Sequence, residues 1–156
     1  MHVLFVCTGN TCRSPLAEAI ARRLVAERAL DVDVSSAGTS AWDGSPASDG
    51  AILVGLERSL DLSAHRARTL TSERVGDADL VLCMGPHHLE RALALGGDDN
   101  SFLLTDYAEG AATGRAISDP FGGELDGYRS TADELEQVMG RVLDRLDAGG
   151  ASAGAE

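Results

Sequence analysis

Cys7 and Arg13 enclose a short stretch with a glycine inside it and Ser-Pro directly after it: Cys7-Thr8-Gly9-Asn10-Thr11-Cys12-Arg13-Ser14. A thiolate is a strong nucleophile, and a guanidinium presents a planar fork of donors that matches two oxygens of a phosphate. If a strand leads into this stretch and a helix leaves it, several backbone N–H groups converge on one point. The positive end of the helix dipole then adds to them. Gly9 is expected to supply the backbone freedom that such a cradle needs. The same positive field favours the thiolate of Cys7, and the Ser14 hydroxyl is placed to donate to that sulfur. Thr8, Gly9, Asn10, Thr11, Cys12 and Ser14 thus surround the anion site, with Cys7 as nucleophile and Arg13 as clamp.

The spacing alone proves little. With three cysteines and thirteen basic residues in 156, a chance Cys-x5-Arg is expected in roughly one such chain in four. The bland reading is a small buried cysteine closing a strand. What separates the two is context: Val3-Leu4-Phe5-Val6 before the loop is a run suited to a strand buried on both faces. Pro15 after it suits the first position of a helix, where no N–H is required. Cys12 is close enough in sequence to protect Cys7 by a reversible disulfide, or it is filler. Cys83, within Leu80-Val81-Leu82-Cys83-Met84, reads as core. Three cysteines build no disulfide framework and fit a reducing compartment. No Cys-x-x-Cys occurs, and the pair His87-His88 lies far from the first two cysteines. That pair reads as a solvated helix start, so neither a metal nor another cofactor is expected.

Attack on phosphorus also needs an acid for the leaving group. Ser118-Asp119-Pro120-Phe121-Gly122-Gly123 offers Asp119 in a stiff turn followed by a flexible one. There it could give a proton in one step and activate water in the next. Asp-Pro is also an ordinary turn dipeptide, and Asp106 is the competing carboxylate without that setting.

These groups must be positioned by alternating strands and helices. The first strand is followed by a helix carrying Leu16, Ala19, Ile20 and Leu24. A strand around Val32 and Val34 closes at Ser35-Ser36-Ala37-Gly38, and a helix from about 48 to 60 carries Ile52, Leu53 and Leu56. A buried strand over 79–84, a helix over 86–95 and a short strand at 102–104 follow. Residues 105–127 show no periodicity, and helical spacing returns over 128–146. This order predicts an α/β domain with a parallel sheet and right-handed crossovers. Ligands in such folds sit beyond the carboxyl ends of the strands, where Cys7 would be. The domain is expected to span 1–147, with a disordered Gly/Ala/Ser tail at 148–156.

The chain is of ordinary globular composition, 44% hydrophobic and 24% charged, with a formal net charge of −12. Every one of its basic residues is arginine. That field disfavours nucleic acids and anionic membranes, so an anionic substrate needs a local positive site. No apolar run is long enough to span a membrane, and the N-terminus lacks the features of a signal peptide. A cytoplasmic location is expected. Oligomeric state leaves no signal.

Residues 3–15, Val-Leu-Phe-Val-Cys-Thr-Gly-Asn-Thr-Cys-Arg-Ser-Pro, together with Asp119-Pro120, resemble the low-molecular-weight protein tyrosine phosphatase family. The likeness covers about residues 1 to 147. It implies a single-domain four-stranded parallel sheet flanked by helices, a phosphocysteine intermediate, phosphorylated protein substrates and no metal. By position it implies Cys7 as nucleophile, Arg13 as phosphate clamp and Asp119 as general acid. Asn10, Ser14, Ser36 and His65 match residues that hold the loop.

The two branches of that family leave the substrate open. Thr11 and Asp119-Pro120-Phe121-Gly122-Gly123 are similar to the protein arginine phosphatase branch, whereas Trp42 resembles an aromatic wall of tyrosine-directed members. Phosphoarginine is the slightly favoured substrate, with activity on aryl phosphates also expected. Two alternatives stand beside this reading. A thiol-dependent arsenate reductase on the same fold needs resolving thiols on a mobile segment, and downstream only Cys83 is offered. A non-catalytic phosphate-binding module leaves the joint presence of thiol, fork and acid without a reason.

Overall fold

Strand β1 (His2–Cys7) can be apolar from Val3 onward because helices cover both of its faces. Val3, Phe5 and Cys7 point into one layer, while Leu4 and Val6 point into the other. The computed structural model describes residues 1–149. Its sheet is parallel, in the order β2 (Asp33–Gly38), β1, β3 (Leu80–Cys83), β4 (Ser101–Leu103). Helices α1 (Arg13–Glu27), α2 (Asp49–Glu57), α5 (Leu104–Glu109) and α6 (Leu125–Ala148) pack on one face. Helices α3 (Ser72–Asp77) and α4 (Pro86–Ala94) pack on the other. The expected α/β architecture, a four-stranded parallel sheet with helices on both faces, is the one present.

Successive connections leave β1 toward β2 on one side and return to β3 on the other. The strand order therefore reverses at β1, and a crevice opens beyond its carboxyl end. Cys7 is the last residue of that strand, which places the loop 7–14 in the crevice.

Several boundaries differ from the sequence expectation. Helix α1 begins at Arg13, so Pro15 is the third helical residue rather than the first. Its missing N–H still costs nothing, since the first four have no partner in the helix. Strand β2 does not close at Ser35 but runs to Gly38, pairing Cys7 with Gly38. On α2, Ala51, Val54 and Gly55 are the buried residues, while Leu53 and Leu56 are exposed. The segment 105–127 is not structureless throughout: α5 follows β4 without a turn, and α6 starts at Leu125. Helix α6 ends at Ala148, inside the expected tail. Residues 150–156 of that tail lie outside the described residues.

Candidate active site

The loop after β1 is shaped by what its carbonyl groups bind. The carbonyls of Cys7 and Thr8 accept from the N–H groups of Thr39 and Ser40 at 3.0 and 2.9 Å. The Asn10 carbonyl contacts His65 Nε2 at 2.7 Å. Those of Thr11 and Cys12 accept from the N–H of Ser48 at 2.9 Å and of Leu16 at 3.2 Å. In a trans peptide the N–H points opposite to the C=O. Five outward carbonyls therefore turn the N–H groups of Thr8, Gly9, Thr11, Cys12 and Arg13 toward the inside of the loop, where the Cys7 sulfur sits.

The left-handed residue of this loop is Asn10, at φ 57°, and not Gly9 as expected. Asparagine tolerates that region, and its side chain pins it there. Its Oδ1 accepts from the Arg68 N–H at 3.0 Å, which fixes the amide orientation. Its Nδ2 donates to Ser14 Oγ at 2.8 Å and to Ser36 Oγ at 2.9 Å. Ser36 in turn donates to Glu18 Oε1 at 2.6 Å. Because Ser14 Oγ accepts from Asn10, its own proton is free for Cys7 Sγ, 2.9 Å away. Asn10, Ser14, Ser36 and His65 thus all meet at the loop. The glycine that the loop cannot do without is Gly38: a Cβ there would lie 2.4 Å from the Thr8 carbonyl oxygen and 2.9 Å from the Asn10 nitrogen.

Arg13 is buried, and its Nη1 donates to the Ile117 carbonyl at 3.2 Å. Ile117 is itself tied to the end of β3, its N–H donating to the Met84 carbonyl at 2.8 Å. Nη2 of Arg13 lies 3.4 Å from Asp119 Oδ2. Asp119 Oδ1 accepts from the Phe121 N–H at 3.1 Å, which closes the turn. A cavity of about 170 Å³ is lined by Cys7, Thr8, Gly9, Thr11, Cys12, Arg13, Asp119 and Phe121. Sites that engulf whole drug-sized ligands run to ~300–1,000 Å³, so this one suits a phosphoryl head on a single side chain.

Other candidates are sorted by position. Asp106 is spent on its own loop, accepting from the Thr113 N–H, the Thr113 hydroxyl and the Gly114 N–H. Those hydrogen bonds hold its carboxyl below the usual range although burial acts against them. Trp42 is 83% exposed between β2 and α2 and is not among the residues lining the cavity. Phe121 is exposed at the rim. Cys12 turns its sulfur to Ser48 Oγ at 3.3 Å and Tyr128 OH at 3.7 Å. All three cysteines are unbridged. Cys83 is buried in β3, and burial pushes its thiol up to about 12. A buried strand thiol is a poor resolving group, which counts against the reductase alternative.

His88 departs from expectation most. It is fully buried, with Nε2 2.8 Å from Thr8 Oγ1, whereas its neighbour His87 is exposed. Sequence reasoning missed its role. The available signal was position: the first turn after β3 lies beside the end of β1, so one face of that turn must look onto the loop.

Comparison with known proteins bears directly on this arrangement. The family model described as low molecular weight phosphotyrosine protein phosphatase matches residues 2–151. The chain belongs to that family. Among curated relatives of this phosphatase family, a protein-arginine-phosphatase of Bacillus subtilis is 38% identical, over 94% of this chain and 97% of its own. A low molecular weight protein-tyrosine-phosphatase, PtpB of Staphylococcus haemolyticus, is 34% identical over 91% and 97%. Among solved structures, the YwlE arginine phosphatase from Geobacillus stearothermophilus superposes with a TM-score of 0.87 at 37% identity, covering 95% of this chain and 94% of that one. A YwlE variant in which a serine replaces the active-site cysteine and is phosphorylated gives 0.87 at 37%, covering 94% and 96%. This chain is therefore a cysteine phosphatase of the family.

Proposed function

We propose that Cys7, Arg13 and Asp119 carry the reaction, and that phosphoarginine in proteins is the preferred substrate. The observation behind the first part is the convergence on one cavity of a thiol, a buried guanidinium and a carboxylate. Arg13 and the loop N–H groups bind the phosphoryl oxygens and stabilise the charge that builds on them as the transition state forms. The Cys7 thiolate attacks phosphorus, the bond from phosphorus to the leaving nitrogen or oxygen breaks, and Asp119 delivers a proton to that leaving atom. Water, deprotonated by Asp119, then attacks the phosphocysteine and releases phosphate. Ser14 donates to the departing Cys7 sulfur, since Asn10 holds its oxygen in the accepting role. Location in the cytoplasm fits the three unbridged cysteines.

Two supports favour phosphoarginine. Thr11 lines the cavity where an oxygen can accept from a guanidinium N–H, and Trp42 stands away from the cavity that an aromatic wall would flank. The arginine phosphatases at 37–39% identity add to this. A tyrosine phosphatase relative at 34% keeps activity on aryl phosphates in view. The test compares kcat/KM on matched phosphoarginine and phosphotyrosine peptides, before and after Thr11→Ile. The expected result is a ratio favouring phosphoarginine that falls about tenfold or more in the variant, the loss of one hydrogen bond to a charged group. An unchanged ratio would remove Thr11 from the account of selectivity.

A further inference from the structure

Thr8 lines the cavity beside Cys7, and behind it stands a buried histidine that the reaction as described leaves unused. One ring nitrogen of His88, Nε2, meets Thr8 Oγ1 at 2.8 Å. The other, Nδ1, is buried with no hydrogen-bond partner among the described residues. A neutral imidazole has one N–H and one lone pair, so the surroundings of Nδ1 decide where the proton sits. A methyl group built on Gly85 would lie 3.4 Å from Nδ1, so a C–H of Gly85 faces that atom. A lone pair tolerates a C–H neighbour and gains weakly from it. An N–H there would be a buried donor stranded against a hydrogen. The proton therefore belongs on Nε2. A second proton is opposed by burial, by the positive start of α4 and by His87 and Arg13 nearby, with Asp119 acting the other way.

We propose that His88 is a positioning residue: by donating Nε2–H to Thr8 Oγ1, it turns the Thr8 hydroxyl proton into the cavity as a donor to a phosphoryl oxygen. The inference rests on reading this cavity as the phosphoryl site. Thr8 then adds a neutral side-chain donor to the loop N–H groups and Arg13. Because the donor acts on the phosphoryl group and not on what carries it, its loss weakens phosphoarginine and phosphotyrosine alike. That separates it from Thr11, whose loss changes their ratio.

Two measurements on the full chain test this. In ¹⁵N NMR of the imidazole rings, His88 is expected to show a protonated Nε2 and an unprotonated Nδ1 that do not titrate between about pH 8 and 5.5. The opposite tautomer, or a charged ring, overturns the proposal. In the second, inorganic phosphate serves as the probe, read as a competitive inhibitor. Thr8→Val and His88→Phe should each weaken inhibition about tenfold, and the double variant should be no worse than either. His88→Gln, which keeps an N–H donor, should recover part of the loss. Additive losses, no recovery, or a changed substrate ratio would each overturn it. Failure of phosphate to inhibit the unaltered protein would sink the phosphoryl-site reading itself. Normal inhibition that survives Thr8→Val would sink this inference alone.

Discussion

Asp119 is held at both oxygens, one by the Phe121 N–H and the other near Arg13. The carboxylate is half exposed, so it can turn toward a leaving group once a phosphoryl group takes the guanidinium. In its proposed role as proton donor, it matters most where the leaving atom is too basic to depart unaided. Asp119→Ala is accordingly expected to lower kcat by about 10²–10³-fold for poor leaving groups and far less for good ones. A series of aryl phosphates of graded leaving-group acidity measures this; a uniform mild loss would point to another acid. Most of this proposed chemistry was legible in the sequence because Cys7, Arg13 and Ser14 fall within eight consecutive residues and Asp119 is followed by Pro120. His88 was not legible. Its partner is Thr8, eighty residues earlier, and only the pairing of β1 with β3 brings the two together.

The strands and helices set how closely the loop can be approached. Parallel pairing of β1 with β2 puts Gly38 opposite Cys7, directly beneath the Thr8 carbonyl. The neighbouring atoms are backbone and cannot swing away. Gly38→Ala should therefore push the loop out of shape, lowering stability by ~1–3 kcal/mol and weakening phosphate inhibition more than the stability loss accounts for. Thermal unfolding and phosphate titration of the same variant check both; an unchanged inhibition constant would show that the loop tolerates a methyl group there. In the sequence Gly38 read only as the end of a strand, since register is not visible before pairing. Helix α3 was missed for a different reason: of its six residues only Val75 is buried, too little for a helical period to show. Helix α5 follows β4 with no turn residue between them, so a strand pattern ran straight into it. Strands β1 and β3 were legible as unbroken apolar runs, and α1 and α6 because their apolar positions recur at helical spacing over several turns.

Across the whole molecule, a net charge of −12 surrounds one buried arginine at the mouth of a small cavity. Selection of an anion thus depends on local donors working against the overall field. Burial of His88 ties that site to global stability. Its usual value of 6.5 is pushed down to about 3, so the unfolded chain takes up a proton near pH 6.5 that the folded chain refuses until about pH 3. The stabilising effect is fully present above pH 6.5 and is lost as pH falls through that window, by ~2 kcal/mol at pH 5. Denaturant unfolding at pH 7.5 and pH 5 should show this loss in the unaltered protein and not in His88→Leu; equal losses in both would place the titration elsewhere. The central claim is that phosphate passes through Cys7, and the most direct measurement is the mass of the Cys7→Ser protein after incubation with a phosphoarginine peptide. One added phosphoryl group at position 7 with no further phosphate release is the expected result. Steady release near the unaltered rate, or phosphate on another residue, would contradict it.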